Sequence, residues 1–337
     1  MLKLNSGKRL ARIGCQLSRR MSTEVPRGQF LSNPFEIDNI QVIRETKDHF
    51  PKPSLISFDV FGTLYEPSPA ISHQYHKIAS EEFGIIKPVA EIEKEFPVLF
   101  KELEELYPNY GRFNDEIQGS DHWWSELIVR LYNIESYKTN KHSAALCNRL
   151  LNHFTGPSAY KLYDDVIPTL TKLKNNGINM VISTNSDGRV RDIIHNLGLA
   201  QFFPNDNFYL SYDIGAVKPS RQFFDSVSSQ FYMNNYHKRL LRKNQGAFLE
   251  NCWHVGDSHS KDFLGAIRSG WNGVLVDRDQ TSEFFSTRTK KPEKEEYAGC
   301  GLSGMPGKNK PTDMLMLANN RVVLTRLEQL LEMFNIE

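Results

Sequence analysis

Apolar positions fall into two regimes along the chain. Residues 54–58 (S-L-I-S-F) make a short apolar run that ends at Asp59 and is followed by Gly62. A short apolar run bounded by a turn residue predicts a buried strand. From about residue 67 to 154 the spacing becomes helical. Glu, Lys, Leu, Tyr and Phe dominate there, and Pro97, Pro108, Gly111 and Gly119 punctuate the stretch. Several helices forming a separate unit are expected. From Tyr160 onward strands and helices alternate. The pattern predicts helices over 164–176, 189–197, 221–230, 261–269 and 325–334. It predicts strands over 178–183, 208–212, 252–255 and 273–277. Val190, Ile193, Ile194 and Leu197 form one stripe at i, i+3, i+4 and i+7. Gly177, Gly198 and Gly270 each stop a helix. Thr325-x-x-Glu328 reads as a capping box ahead of the stripe Leu327, Leu330, Leu331 and Phe334.

Repeated β-α alternation implies an α/β fold: a Rossmann-like, doubly wound parallel sheet with helices on both faces. The helical block interrupts it after the first strand and is expected to act as a cap. The expected organisation is a leader over 1–23, an N-terminal extension over 24–53, a core over 54–65 and 159–337, and a helical cap over 66–158. Residues 232–245 are basic and polar and are expected to extend a helix. Residues 280–312 carry Lys290, Lys291 and Lys294, three prolines and four glycines without periodicity. That stretch reads as a mobile insertion within the core.

The net charge of +1 hides an asymmetry. Residues 1–23 contain Lys3, Lys8, Arg9, Arg12, Arg19 and Arg20, several hydroxyl residues and no acid. This is the composition of a mitochondrial transit peptide, so a matrix location is expected, with a basic tail on a cytoplasmic protein as the alternative. Without those six positive charges the remainder is near −5, which argues against nucleic-acid binding. No apolar run approaches the roughly 20 residues of a bilayer span. Cys15, Cys147, Cys252 and Cys300 make no C-x-x-C pair, so neither a disulfide framework nor a zinc site is expected. Nothing in the pattern indicates an oligomeric state.

Four signals then appear at expected strand ends. They are Asp59-Val60-Phe61-Gly62-Thr63, Ser183-Thr184-Asn185, Lys218-Pro219, and Gly256-Asp257-Ser258 followed by Asp262. Sheets of this type bind ligands at the carboxyl ends of their strands. A carboxylate held rigidly at a pocket floor can act as a nucleophile. Thr184 and Asn185 offer a hydroxyl and an amide suited to an anionic oxygen, and Lys218 offsets negative charge. Two carboxylates facing one pocket repel unless a cation separates them, and magnesium would serve. Asp262 is expected to brace Asp257 or Lys218 rather than to bind metal. His259 is expected to face solvent at the start of a helix.

Together these four motifs resemble the haloacid dehalogenase (HAD)-like hydrolase superfamily. The Y-P-N-Y-G segment at 107–111 and Trp123-Trp124 resemble its eukaryotic HAD-like hydrolase domain-containing branch. The resemblance implies Asp59 as nucleophile, catalysis supported by Lys218, and magnesium held by Asp59, Asp257 and the carbonyl of Phe61. It implies a small phosphorylated substrate bound near Thr184, Asn185 and Lys218. Phe61 departs from the Asp-x-Asp of the family's phosphatases, whose second Asp is the general acid/base. Loss of that group, typically worth ~10²–10⁴-fold, predicts slow ester turnover. Two other readings therefore stay open. One is a binding or regulatory protein that keeps the pocket without turnover. The other is a 2-haloacid dehalogenase, whose halide leaving group needs no proton. Within the insertion, Tyr110, Arg112 and Asn114 are candidate pocket residues, and the two tryptophans are expected to pack the insertion.

Overall fold

Period-two alternation divides the strand side chains between the two faces of one sheet. Leu55, Val181 and Cys252 enter a core with Phe223, Phe224, Phe231 and Trp271. Their neighbours Ile56, Ile182 and Val255 point the other way, into a core with Val166, Leu170, Val274 and Leu324. Strands covered on both faces need apolar residues at every position, which is why 54–58 reads as a continuous run.

The computed structural model describes residues 41–43, 50–236, 245–282, 284, 314–318 and 320–337. The sheet has eight strands in the order β1-β9-β10-β8-β7-β2-β5-β6. They are β1 (Gln41–Ile43), β2 (Leu55–Phe58), β5 (Met180–Thr184), β6 (Phe208–Leu210), β7 (Cys252–Gly256), β8 (Asn272–Val276), β9 (Met314–Ala318) and β10 (Arg321–Leu324). Neighbours from β10 through to β6 run parallel. β9 pairs antiparallel with both β1 and β10. This antiparallel edge is absent from the sequence expectation, which assigns no strand after residue 277.

A two-stranded ribbon, β3 (Tyr65–Pro67) with β4 (Tyr160–Leu162), leads into and out of the helical insertion. The insertion holds α1 (Ile71–Phe83), α2 (Val89–Leu106), α3 (Ser120–Tyr132) and α4 (Lys141–His153). It buries a core of its own, with Tyr75, Ile78, Ile92, Ile128, Leu131, Leu146 and Leu150. The sheet is flanked by α5 (Val166–Asn175), α6 (Val190–Asn196), α7 (Arg221–Tyr236), α8 (Gln245–Leu249), α9 (Gly265–Arg268) and α10 (Gln329–Met333).

The C-terminal helix begins later than expected. Glu328 is its cap residue, and residues 325–328 form a turn. Gln329 Oε1 accepts from the backbone N–H groups of Thr325 and Arg326, so the side chain that closes this turn is one residue beyond the expected capping box. The stretch expected as one helix over 261–269 divides into a π-turn, His259–Leu264, and α9. α7 continues to Tyr236, while 237–244 lie outside the described residues. The expectations for 1–23, 24–40 and 285–312 also concern residues outside those described. Among the described residues no helix is long and apolar enough to cross a membrane.

Leu170 on α5 is fully buried, whereas Ile167 on the same helix is 42% exposed. Leu170→Ala is expected to cost about 2–5 kcal/mol through lost burial and a residual cavity. Ile167→Ala should stay within about 0.5 kcal/mol. Urea midpoints of the two variants check this pair.

Candidate active site

Asp59 follows β2 directly, and its N–H donates to the Val255 carbonyl at 2.9 Å. The chain then turns sharply, with Leu64 N–H donating back to Val60 O at 2.8 Å. Gly62 makes that turn possible, with φ at +78°. A Cβ at Gly62 would lie 2.3 Å from Asp257 Oδ2, so the bare backbone also lets Asp257 approach. Arg278 buttresses the turn by donating to Thr63 O at 2.9 Å and to Asp165 Oδ2 at 3.0 Å.

Lys218 is the hub of the site. Its side chain is 2% exposed, and Nζ donates to Asp59 Oδ1 at 2.7 Å, Asp262 Oδ1 at 2.6 Å and Ser183 O at 2.9 Å. An ammonium has three protons, and three acceptors surround this one. Burial works against the charge, but Asp262 and Asp59 outweigh it and hold the Lys218 ammonium above its usual value. Burial pushes Asp59 up; Lys218 and, to a lesser extent, the Thr184 hydroxyl offset that only in part. Asp262 is also buried, yet Lys218 and His254 hold it well below the usual carboxylate range.

Asp262 braces Lys218 and not Asp257. Its Oδ1 accepts from Lys218 and lies 3.0 Å from His254 Nε2, and its Oδ2 accepts from Ser258 N–H at 2.9 Å. Asp257 stands at the solvent edge of the group. Its carboxyl is pushed up to about 7 as it gives up solvent and faces Asp59 and Asp262. One oxygen from each of Asp59, Asp257 and Asp262 falls within 4.8 Å of the others. With Asp262 engaged by protein donors, Asp59 and Asp257 are the pair fitted to hold a divalent cation.

Asn185, expected to offer its amide to a ligand, borders the cavity and also braces the Lys218 backbone. Its Nδ2 donates to Lys218 O at 2.9 Å and its Oδ1 accepts from Lys218 N–H at 2.7 Å. The amide fixes the backbone that carries the lysine. The three Lys218 protons are shared among Asp59, Asp262 and Ser183 O, which gives the ammonium an electrostatic and positioning part at Asp59. Thr184 is 3% exposed at the end of β5, and its hydroxyl helps to lower the neighbouring Asp59 carboxyl. His259, expected to face solvent, is half-buried and packs one side of its ring near Phe263 and Phe284, with centroids at 5.9 and 5.5 Å.

A cavity of about 420 Å³ lies between the strand ends and the insertion. Phe61, 46% exposed, forms part of its wall together with Tyr65, Tyr110, Trp124, Asp187 and Arg189. Asn109 and Tyr110 have φ of +51° and +58°, left-handed values that residues with a Cβ rarely adopt. In that conformation Asn109 Nδ2 reaches Ser211 O at 2.8 Å and Tyr110 Oη reaches Asn185 O at 2.9 Å. Of the three candidate insertion residues only Tyr110 lines the cavity. Arg112 donates to Asp213 O, and Asn114 caps the N–H groups of Glu116 and Ile117. Trp123 packs the insertion as expected, 1% exposed. Trp124 does more: it lines the cavity and donates to Asp187 Oδ2 at 3.1 Å.

His254, Asp187 and Arg189 were not singled out in the sequence. The signal for His254 is faint but physical. It is the polar residue of an apolar strand, in register with Ser57 of β2, and Ser57 Oγ lies 3.0 Å from its Nδ1. Burial keeps this histidine below its usual value, hence neutral. For Asp187 and Arg189 no periodic or spacing signal exists.

Comparison with known proteins agrees with this geometry. A profile described as haloacid dehalogenase-like hydrolase matches residues 53–270. The Saccharomyces cerevisiae protein YMR130W is 30% identical, over 84% of this chain and 93% of that protein. Haloacid dehalogenase-like hydrolase domain-containing protein 3 of Danio rerio is 26% identical, over 66% of this chain and 84% of its own length. Among solved structures, the HAD-hydrolase YfnB of Bacillus subtilis, bound to magnesium, superposes with a TM-score of 0.53. At 16% identity, over 85% of this chain and 100% of that one, it supports the fold alone. The strand-end motifs, the mostly parallel sheet and the profile over two thirds of the chain converge: the protein belongs to the haloacid dehalogenase-like hydrolase family.

Proposed function

We propose that this hydrolase is a magnesium-dependent phosphatase that acts on a small phosphorylated metabolite through an aspartyl intermediate at Asp59. The observation that carries the reading is the buried Asp59–Lys218–Asp262 arrangement, with Asp257 beside it. Asp59 would attack the phosphorus, forming a carboxyl–phosphoryl bond as the ester oxygen departs. Water would then cleave the acyl phosphate, releasing inorganic phosphate and restoring Asp59. Lys218 and Thr184 hold the carboxylate in one orientation, which supplies the entropic part of catalysis. Magnesium, held by Asp59, Asp257 and the Phe61 carbonyl, would offset charge on the phosphoryl oxygens. Phe61 cannot transfer a proton, so turnover is slow for esters of ordinary alcohols.

Asp59→Asn is expected to abolish turnover of phosphate esters while leaving the fold intact, as read by circular dichroism. Thermal stability carries a pH signature. A carboxyl raised to about 7 binds its proton more tightly in the folded state, so for the metal-free protein Asp257 lowers stability as pH climbs from about 4 through 7. Magnesium needs that carboxylate ionised. The rise in Tm on adding magnesium should therefore be larger at pH 8 than at pH 5.5, and Asp257→Asn should remove it. Equal shifts at both pH values, or none, sink the metal assignment.

Lys218→Met leaves Asp59 and Asp262 buried without their counter-ion, and should cost about 3–5 kcal/mol at neutral pH. In the wild type the depressed Asp262 contributes stability above the ordinary carboxylate value, about 4, that is lost as pH falls below it. The gap between variant and wild type, measured by urea unfolding, should therefore narrow below about pH 4.

We also propose, on composition, that residues 1–23 direct the protein to the mitochondrial matrix. Import of a fluorescent protein fused to residues 1–23 by isolated mitochondria tests this. A reporter that stays outside the organelle would refute it.

A further inference from the structure

The cavity bordered by Phe61, two residues beyond Asp59, and by Asn185 is walled by aromatic rings. Tyr110 and Trp124 stack at 6.0 Å, Phe100 lies 5.8 Å from Trp124, and Phe96 stacks on Phe100 at 6.4 Å. Its volume of about 420 Å³ falls in the ~300–1,000 Å³ range of small-molecule sites. Among the described residues Arg189 is the single Lys or Arg in the wall, and Asp187 engages it through both Nε and Nη2. The wall therefore offers no uncommitted cation to a second phosphate or carboxylate. It also offers no ready acid. Burial opposes ionisation of Asp187, but Arg189 overcomes it and keeps the carboxylate deprotonated. Burial raises the phenols of Tyr65, Tyr110 and Tyr160, which makes each a poorer proton donor.

Two independent features thus point the same way. The wall suits an aromatic ring, which gains by edge-to-face or offset packing against other rings. The Phe61 position cannot protonate a departing oxygen, so the oxygen must leave as a stable anion. A phenol, with a pKa of about 10, satisfies that far better than an alkanol. We infer that the cavity receives an aromatic group and that the ester cleaved is the phosphate monoester of an aryl alcohol. This rests on the phosphatase reading above. In the step, the Asp59 oxygen bonds to phosphorus, the phosphorus–aryloxy bond breaks, and the aryloxide takes its proton from solvent water.

The test has two arms, both on the full-length chain. With magnesium, kcat/KM for 1-naphthyl phosphate should exceed that for glucose 6-phosphate at least tenfold. Across substituted phenyl phosphates, kcat/KM should rise steadily as the phenol pKa falls. In the second arm, 1-naphthol is titrated calorimetrically into Asp59→Asn, which has no turnover. One-to-one binding is expected, weakened at least tenfold by adding Leu151→Trp, which fills the cavity from the insertion. Ile193→Trp, filling it from α6, serves if the first variant misfolds. Failure of 1-naphthol to bind, or binding that neither filling variant weakens, overturns the aromatic assignment. So does a preference for the sugar phosphate. If 1-naphthol binds but no ester is turned over, the phosphatase reading falls and the ligand class of the cavity stands.

Discussion

The ammonium of Lys218, locked between Asp59 and Asp262 with Ser183 O as its third acceptor, ties the site together. Burying an ion costs several kcal/mol unless every lone pair and proton finds a partner. Here the partners come from separate parts of the chain: the ends of β2 and β5, the loop before α7, and the π-turn after β7. His254 and the Ser258 N–H complete the surroundings of Asp262. None of these groups can shift alone without leaving an unpaired charge. That interdependence holds the carboxylate of Asp59 in one place. It also explains why Gly256 has no side chain, since a Cβ there would sit 2.3 Å from Asp262 Cγ.

Above this charged floor the insertion builds a wall of opposite character. Its contacts with the core include several polar ones at their tips: Tyr110 to Asn185 O, Asn109 to Ser211 O, Arg112 to Asp213 O, and Trp124 to Asp187. The left-handed backbone at Asn109 and Tyr110 lets consecutive residues both reach the core. Strain of this kind persists only where surrounding contacts over-determine it. Between those tips the rings enclose apolar space next to a buried carboxylate. Phe61 belongs to both layers, since it follows Asp59 by two residues and lines the cavity. The substitution that removes a proton donor from the site thus also completes the wall.

Much of the fold was legible because its signals are local. Strands β2, β5, β7 and β8 were found to within two residues at either end, because a doubly covered strand must be apolar throughout. The helix stops at Gly177, Gly198 and Gly270 were legible because all three carry a positive φ that disfavours other residues. The antiparallel edge was not, since β9 and β10 follow a long polar stretch and their pairing depends on β8 and β1. The last helix was placed too early because a side chain one residue further on, Gln329, supplied the bond expected of Glu328.

The sequence by itself determined the order of strand-end motifs, and so that Asp59, Thr184, Lys218 and Asp257 lie at one edge of one sheet. It determined that the position two after Asp59 carries no acid. Only the tertiary structure decided how those side chains are spent. Asn185 and Lys218 looked like ligands for a substrate oxygen, but the fold also turns Asn185 onto the Lys218 backbone and the Lys218 ammonium onto Asp59 and Asp262, groups 33 or more residues away. Asp187, Arg189 and Trp124 gave no periodic signal, yet they meet in the cavity wall. Hydrophobic period and turn chemistry act over a few residues and are written into the chain. The satisfaction of a buried charge is decided by whatever neighbours the folded backbone brings within 3 Å.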